Sequence, residues 1–65
     1  MMLTMPSRWV YVWYTSGRIV NVANSDTLRK EEAEYFRDKW SKDNEKVVRV
    51  TLENRNGDIL KTYTF

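Results

Sequence analysis

The order of hydrophobic and polar positions along the chain predicts four β-strands and one helix. The first strand is predicted at Arg8–Tyr14 (RWVYVWY), where every residue after the arginine is β-branched or aromatic. A turn at residues 15–18 (TSGR) follows, and a second strand is predicted at residues 19–23 (IVNVA). These two strands form a predicted hairpin.

The middle of the chain is predicted to be a helix over residues 28–41. At 100° per residue its apolar side chains fall on one arc, which is typical of a helix that packs on a sheet. This arc contains Leu28, Ala33, Tyr35, Phe36 and Trp40, with Phe36 near its middle. Residues 24–27 (NSDT) are candidate N-cap residues, and Asn44 is a candidate left-handed C-cap residue.

A second hairpin is predicted from strands at residues 46–53 and 59–65, with Asn56-Gly57 in the turn. A two-residue turn places Val50 opposite Tyr63, whereas a three-residue turn with a bulge places Val50 opposite Thr62. The choice decides which side chains share a face of the sheet. We favour the first register because it gathers one apolar face, made of Val48, Val50, Leu52, Ile59, Tyr63 and Phe65.

The predicted fold class is α+β: a ββαββ order, with a four-stranded mixed or antiparallel sheet and one helix packed on one face. The chain is expected to be a single domain, residues 1–65, with a loose lead-in at residues 1–7. From Trp9 to Phe65 its hairpin–helix–hairpin order resembles the immunoglobulin-binding domains of proteins G and L, the β-grasp layout. This resemblance implies that the first and last strands lie parallel in the centre of the sheet. The strands at 19–23 and 47–53 are then expected at the edges.

Composition narrows the chemistry that we expect. The chain has no Cys and no His, which removes disulfides, thiolate metal sites and the commonest general base. We therefore expect no cofactor, no metal site and no enzymatic activity, and we interpret Glu31, Glu32 and Glu34 as a solvated helix face. Eleven basic and nine acidic residues give a net charge of only +2. No signal peptide or membrane span is expected, and the absence of Cys fits a cytoplasmic protein.

The first strand carries more large apolar side chains than one helix can cover. Alternation places Trp9, Tyr11 and Trp13 on one face and residues 10, 12 and 14 on the other. The face away from the helix is covered either by the apolar residues 1–5 or by another molecule. We favour another molecule, because exposed apolar patches are rare in monomers and Trp and Tyr dominate binding hot spots. The candidate partner-binding residues are Trp9, Tyr11, Trp13, Arg8 and Arg49.

The expected function is therefore that of a small non-enzymatic protein-binding module, with another protein or a second copy (a homodimer) as its partner and no membrane partner. Its small size, its lack of Cys and its high aromatic content are similar to those of phage-encoded or mobile-element-encoded inhibitors of host proteins. One alternative is a nucleic-acid-binding protein that stacks bases on the sheet aromatics and uses Arg18, Arg49, Arg55 and Lys61. Another is a self-associating or designed domain with no other partner.

Overall fold

The computed structural model describes residues 7–65 and has the predicted ββαββ order, which confirms the α+β class. Its elements are β1 (Arg8–Tyr14), β2 (Ile19–Asn24), α1 (Lys30–Trp40), β3 (Val47–Asn54) and β4 (Ile59–Thr64). The suggested cover by residues 1–5 lies outside the described residues, and so does most of the suggested lead-in.

The four strands form one antiparallel sheet in the order β2-β1-β3-β4. The central pair is thus β1 with β3, and the parallel pairing of the first and last strands that the β-grasp resemblance implied is wrong. The strand at 47–53 is therefore central instead of at an edge, whereas β2 is an edge strand as predicted. The cause lies in the residues: Val50, Thr51 and Leu52 are buried in succession, whereas Lys61 and Thr62 of β4 are exposed. A strand buried on both faces belongs in the middle of the sheet.

The helix covers one face of the two central strands. Val10 and Val12 of β1 are fully buried beneath it, and their cross-strand neighbours are Leu52 and Val50 of β3. The buried hydrophobic core consists of Val10, Val12, Tyr14, Leu28, Ala33, Val47, Val50 and Leu52. The helix side of β1 is therefore its valine and Tyr14 side, which leaves the tryptophans on the opposite face.

The helix starts later than predicted, and residues 24–27 do not cap it. Asn24 ends β2, and the Ser25 hydroxyl bonds Thr27 within a local turn. The N-cap residue is Arg29, whose backbone N–H donates to a Glu32 carboxylate oxygen at 2.8 Å. A carboxylate three residues into the helix therefore satisfies the N-cap amide, as in a capping box.

The buried side of the helix also differs from the predicted arc. Ala33 is fully buried and Trp40 packs against the core, whereas Tyr35 is 56% exposed. At 100° per residue, Tyr35 lies roughly 150° from the direction between Ala33 and Trp40. The helix ends at the C-cap residue Ser41, and no non-glycine residue in the described chain has a positive φ, so the left-handed cap expected at Asn44 is wrong.

The β3–β4 hairpin combines the two alternatives for its register. The Asn54 N–H bonds the Asp58 carbonyl across a three-residue turn at 55–57. Leu52 then lies opposite Lys61 and Glu53 opposite Ile59, so Leu60 is an extra residue, a β-bulge. The bulge restores the predicted pairing of Val50 with Tyr63 although the two-residue turn itself is wrong.

The bulge also changes the apolar face that the sequence predicted for this hairpin. Tyr63 packs against the core, but Ile59 and Phe65 are 49% and 41% exposed. Because Ile59 pairs with Glu53 rather than with Asn54, as the two-residue turn would require, its side chain lies on the opposite face from the core.

Two tyrosine hydroxyls attach the helix to the sheet at both ends. Tyr14 donates to the Trp40 carbonyl at 2.8 Å, and Tyr63 donates to the Leu28 carbonyl at 3.1 Å. The Trp40 carbonyl lies in the last turn of the helix, where carbonyls have no intrahelical partner, and Leu28 precedes the N-cap residue Arg29. The two tyrosine bonds hold the helix in one position over the central strands.

Candidate functional site

The sheet face opposite the helix carries the aromatic side chains of the first strand. We call it the aromatic face and define it by six residues of the central strands: Trp9, Tyr11, Trp13, Arg49, Thr51 and Glu53. The β1–β3 register pairs them in three rows, Trp13 with Arg49, Tyr11 with Thr51 and Trp9 with Glu53. Paired residues in antiparallel strands share a face, so each row places a polar side chain beside an aromatic ring.

Thr51 organises the centre of this face. It is fully buried although it points away from the helix. Its hydroxyl oxygen accepts a bond from the Trp13 indole N–H at 2.8 Å, and the hydroxyl donates to a Glu53 carboxylate oxygen at 3.4 Å. A chain of hydrogen bonds therefore joins the three side chains, and it restricts the orientation of the Trp13 ring.

The two charged groups of the face have no ionic partner in residues 7–65. The Arg49 guanidinium carbon lies 5.2 Å from the Trp13 ring centroid, within cation–π range. Its Nε is buried with no hydrogen-bond partner. Both ion pairs of the described chain lie elsewhere, at Arg18–Glu45 and Arg37–Asp38. The aromatic face thus carries one cation and one anion that have no ion-pair partner among the described residues.

The apolar surface of this face extends to the two edge strands. Trp9, Tyr11 and Trp13 are each half-buried, so all three retain exposed ring surface. Ile19 of β2 lies beside Trp13 and is 45% exposed, and Ile59 of β4 lies beside Glu53 and is 49% exposed. The result is a stripe of aromatic rings with an exposed isoleucine at each of two opposite corners.

The structure brings together four of the five predicted binding residues. Trp9, Tyr11, Trp13 and Arg49 share the aromatic face, but Arg8 does not. Arg8 has the same parity as the buried Val10, and its guanidinium donates to the Asp26 carbonyl at 2.9 Å. It lines a separate groove of about 360 Å³ with Leu28 and Leu52. Strict alternation along β1 would have excluded Arg8 from the sequence alone.

Sequence reasoning also missed two members of the site. Thr51 and Glu53 alternate with the apolar residues Val50 and Leu52 along β3, and no function was predicted for either of them. Their role depends on lying beside Trp13 and Trp9, which requires β1 to pair with β3. The β-grasp resemblance placed the fourth strand beside β1 instead, so no sequence signal connected these residues.

Of the four cations considered for nucleic-acid binding, three lie away from the aromatic face. Arg18 lies in the turn between β1 and β2 and pairs with Glu45 at 3.1 Å. Arg55 is exposed in the β3–β4 turn. Lys61 pairs with the core residue Leu52 and therefore lies on the helix side of the sheet, with its Nζ 5.8 Å from the centroid of the Tyr63 ring. Only Arg49 lies on the aromatic face itself.

The acidic residues of the helix do not belong to any group of metal-binding side chains in the described part of the chain. Glu32 caps the helix, and residues 7–65 contain no group of three His, Cys, Asp or Glu side chains arranged to hold a metal ion. On the same helix a hydrogen bond from Arg37 lowers the pKa of the Asp38 carboxyl. In the part of the chain that the structure describes, no helix has both the length and the apolar character needed to cross a membrane.

The geometry therefore provides a surface that can bind, built from three aromatic rings, of which Trp13 has a restricted orientation, and two charges that form no ion pair within residues 7–65. Comparisons with protein-family models, with curated proteins and with solved structures found no match for this chain.

Proposed function

We propose that this chain is a small, non-enzymatic, cytoplasmic protein-binding module that docks through the aromatic face. The observation that supports this proposal is that the core is complete without that face. Val10, Val12 and Val50 are fully buried on the helix side, and the three large rings on the other side keep exposed surface. Side chains of this size contribute large contact areas when a partner covers them.

The composition of the face favours a protein as its partner. Trp, Tyr and Arg are the residues enriched at the centres of protein interfaces. The Trp13–Thr51 bond and the Arg49 stacking already restrict these side chains in the free protein. Binding therefore costs less side-chain entropy than it would for mobile residues.

Such a module acts by occlusion. A rigid sheet face covers a surface of the larger partner and thereby excludes that surface's normal ligand, as a phage-encoded inhibitor of a host protein would. The edge strands β2 and β4 carry unpaired backbone groups and offer additional contacts by strand addition.

The distribution of cations supports a protein rather than a nucleic acid. Phosphate binding depends on several Lys or Arg side chains acting together. Arg49 is the one cation on the aromatic face, and Glu53 lies on the same strand two rows away. A nearly neutral face attracts a polyanion weakly.

A capture experiment tests the proposal. Tagged full-length protein is used to retain partners from extracts of its source cell, and Trp9→Ser is compared with Tyr35→Ser. Trp9 is chosen because Trp13 also makes a structural hydrogen bond. Tyr35 is the matched control, since it is an exposed aromatic residue on the helix, away from the aromatic face.

We expect Trp9→Ser to weaken retention of the main partner about tenfold or more, as for a hot-spot residue, while Tyr35→Ser leaves it unchanged. Both variants should keep the circular dichroism spectrum of the parent. Equal retention by the two folded variants would contradict the proposal.

A further inference from the structure

The charges of the aromatic face are arranged so that the face is complementary to itself. Arg49 and Glu53 each lie two residues from Thr51, on opposite sides of it along β3. A two-fold axis that crosses the strands at the Tyr11–Thr51 row exchanges the two ends of the face. It brings Arg49 opposite Glu53 of a second copy, and Glu53 opposite Arg49, as a symmetric interface requires.

The same rotation matches the aromatic rings. It places Trp13 over Trp9 of the second copy and Tyr11 over Tyr11, so one aromatic stripe lies on the other. A two-fold axis parallel to the strands gives a poorer match, because β1 then faces β3 and Glu53 lies opposite Trp9 without a counter-charge. The crossing axis satisfies both the rings and the charges.

We infer that the occupant of the aromatic face is a second copy of this chain, packed face to face with reciprocal Arg49–Glu53 pairs. This inference rests on the proposed function, and because the second copy occupies the same aromatic face, it competes with any larger protein that binds there. The pairing gives each Arg49, which has no ion-pair partner in residues 7–65, a carboxylate as its counter-charge. The assembly is a four-layer helix–sheet–sheet–helix dimer with aligned sheets.

The size of the face sets the expected strength of the dimer. Four strands about 4.8 Å apart span roughly 14 Å between the outer strand axes, and residues 9–13 extend over roughly 14 Å. Two such footprints are small compared with stable protein interfaces. The dimer is therefore expected to be weak, so its population depends on protein concentration.

The experiment measures the solution mass of the full chain by sedimentation equilibrium from low micromolar to millimolar concentration. The expected result for the parent is a rise from 7.9 kDa toward twice that mass. Arg49→Glu makes the face wholly acidic and Glu53→Arg makes it wholly basic. Each variant should begin to dimerise only at a concentration at least about tenfold higher than the parent requires, because like charges then face each other.

Two further samples make the test specific to this geometry. An equimolar mixture of Arg49→Glu and Glu53→Arg should associate, since the acidic face of one complements the basic face of the other. The double variant Arg49→Glu/Glu53→Arg should recover self-association. The control Arg55→Glu makes the same charge change in the exposed β3–β4 turn and should dimerise like the parent.

A parent chain that stays monomeric to millimolar concentration would overturn the inference. So would single variants that dimerise as the parent does, or a mixture of folded variants that fails to associate. These outcomes are separable from failure of the proposed function. One such outcome is a parent chain that is monomeric while Trp9→Ser still weakens the capture of a different protein. That result would support the aromatic face as a binding face and would refute only the second copy as its occupant.

Discussion

The indole nitrogen of Trp13 lies 2.8 Å from the hydroxyl oxygen of Thr51, on the face of the sheet that the helix does not cover. The two residues come from neighbouring central strands, and Thr51 is fully buried. This bond gives a ring on the solvent side of the sheet a fixed orientation. The aromatic face is thus organised before any partner arrives.

A double-mutant cycle tests this bond. Trp13→Phe removes the donor and Thr51→Val removes the acceptor at similar volume, so each single variant should lose about 1 kcal/mol or somewhat more. The coupling between the two should be about 0.5–1.5 kcal/mol in urea unfolding, since a direct contact is lost only once. Strictly additive losses would show that the bond contributes nothing to stability.

The tyrosine that attaches the end of the helix gives a second prediction. Tyr14 is 3% exposed and its hydroxyl bonds the Trp40 carbonyl, so Tyr14→Phe should lower the unfolding free energy by about 0.5–1.5 kcal/mol. Tyr63→Phe removes the bond at the other end from a half-buried position and should cost less. Thermal unfolding of both variants measures the order, and the reverse order would contradict this account.

Packing beneath the helix gives a third prediction. Ala33 is fully buried against the sheet, so Ala33→Leu overfills the contact and should cost about 1–3 kcal/mol. Tyr35→Leu on the exposed side of the same helix should change stability by less than about 0.5 kcal/mol. Chemical denaturation of the pair provides the check, and similar losses would mean that the helix packs through a different side.

These predictions also show which parts of the fold the sequence determines. The type and order of the elements follow from local patterns. Runs of β-branched and aromatic residues predict the strands, Gly and Asn predict the turns, and an amphipathic segment predicts the helix. The position of β3 beside β1 does not follow from local patterns. The position of β3 depends on which of the third and fourth strands is more apolar. The third strand has the buried run Val50, Thr51 and Leu52, whereas the fourth has the exposed residues Lys61 and Thr62.

The site could be predicted only in part for the same reason. Alternation along β1 groups Trp9, Tyr11 and Trp13 without knowledge of the sheet. Thr51 and Glu53 join them only through the β1–β3 register, which is a non-local property. The exposure of Ile59 depends on the bulge at Leu60, since one extra residue reverses the face of everything on its far side.

The bulge itself gives a fourth prediction. Because Leu60 is the extra residue, its deletion should leave Ile59 opposite Glu53 and Lys61 opposite Leu52 in a regular ladder. The chain should therefore stay folded. Deletion of Thr51 from β3, which pairs with both β1 and β4, should instead turn its neighbours to the wrong face in two ladders and lower the melting temperature far more. Equal melting temperatures for the two deletions would contradict the assigned register.

The most direct test of the aromatic face uses the indole N–H signals of the three tryptophans in a ¹⁵N-labelled chain. Trp9 and Trp13 lie on that face, whereas Trp40 packs on the helix side and serves as an internal reference. The signals are compared between dilute free protein and the bound state, whether dimer or complex with a captured protein. This account predicts that the Trp9 and Trp13 signals shift while the Trp40 signal stays. A bound state in which only Trp40 shifts, or in which none of the three moves, would contradict it.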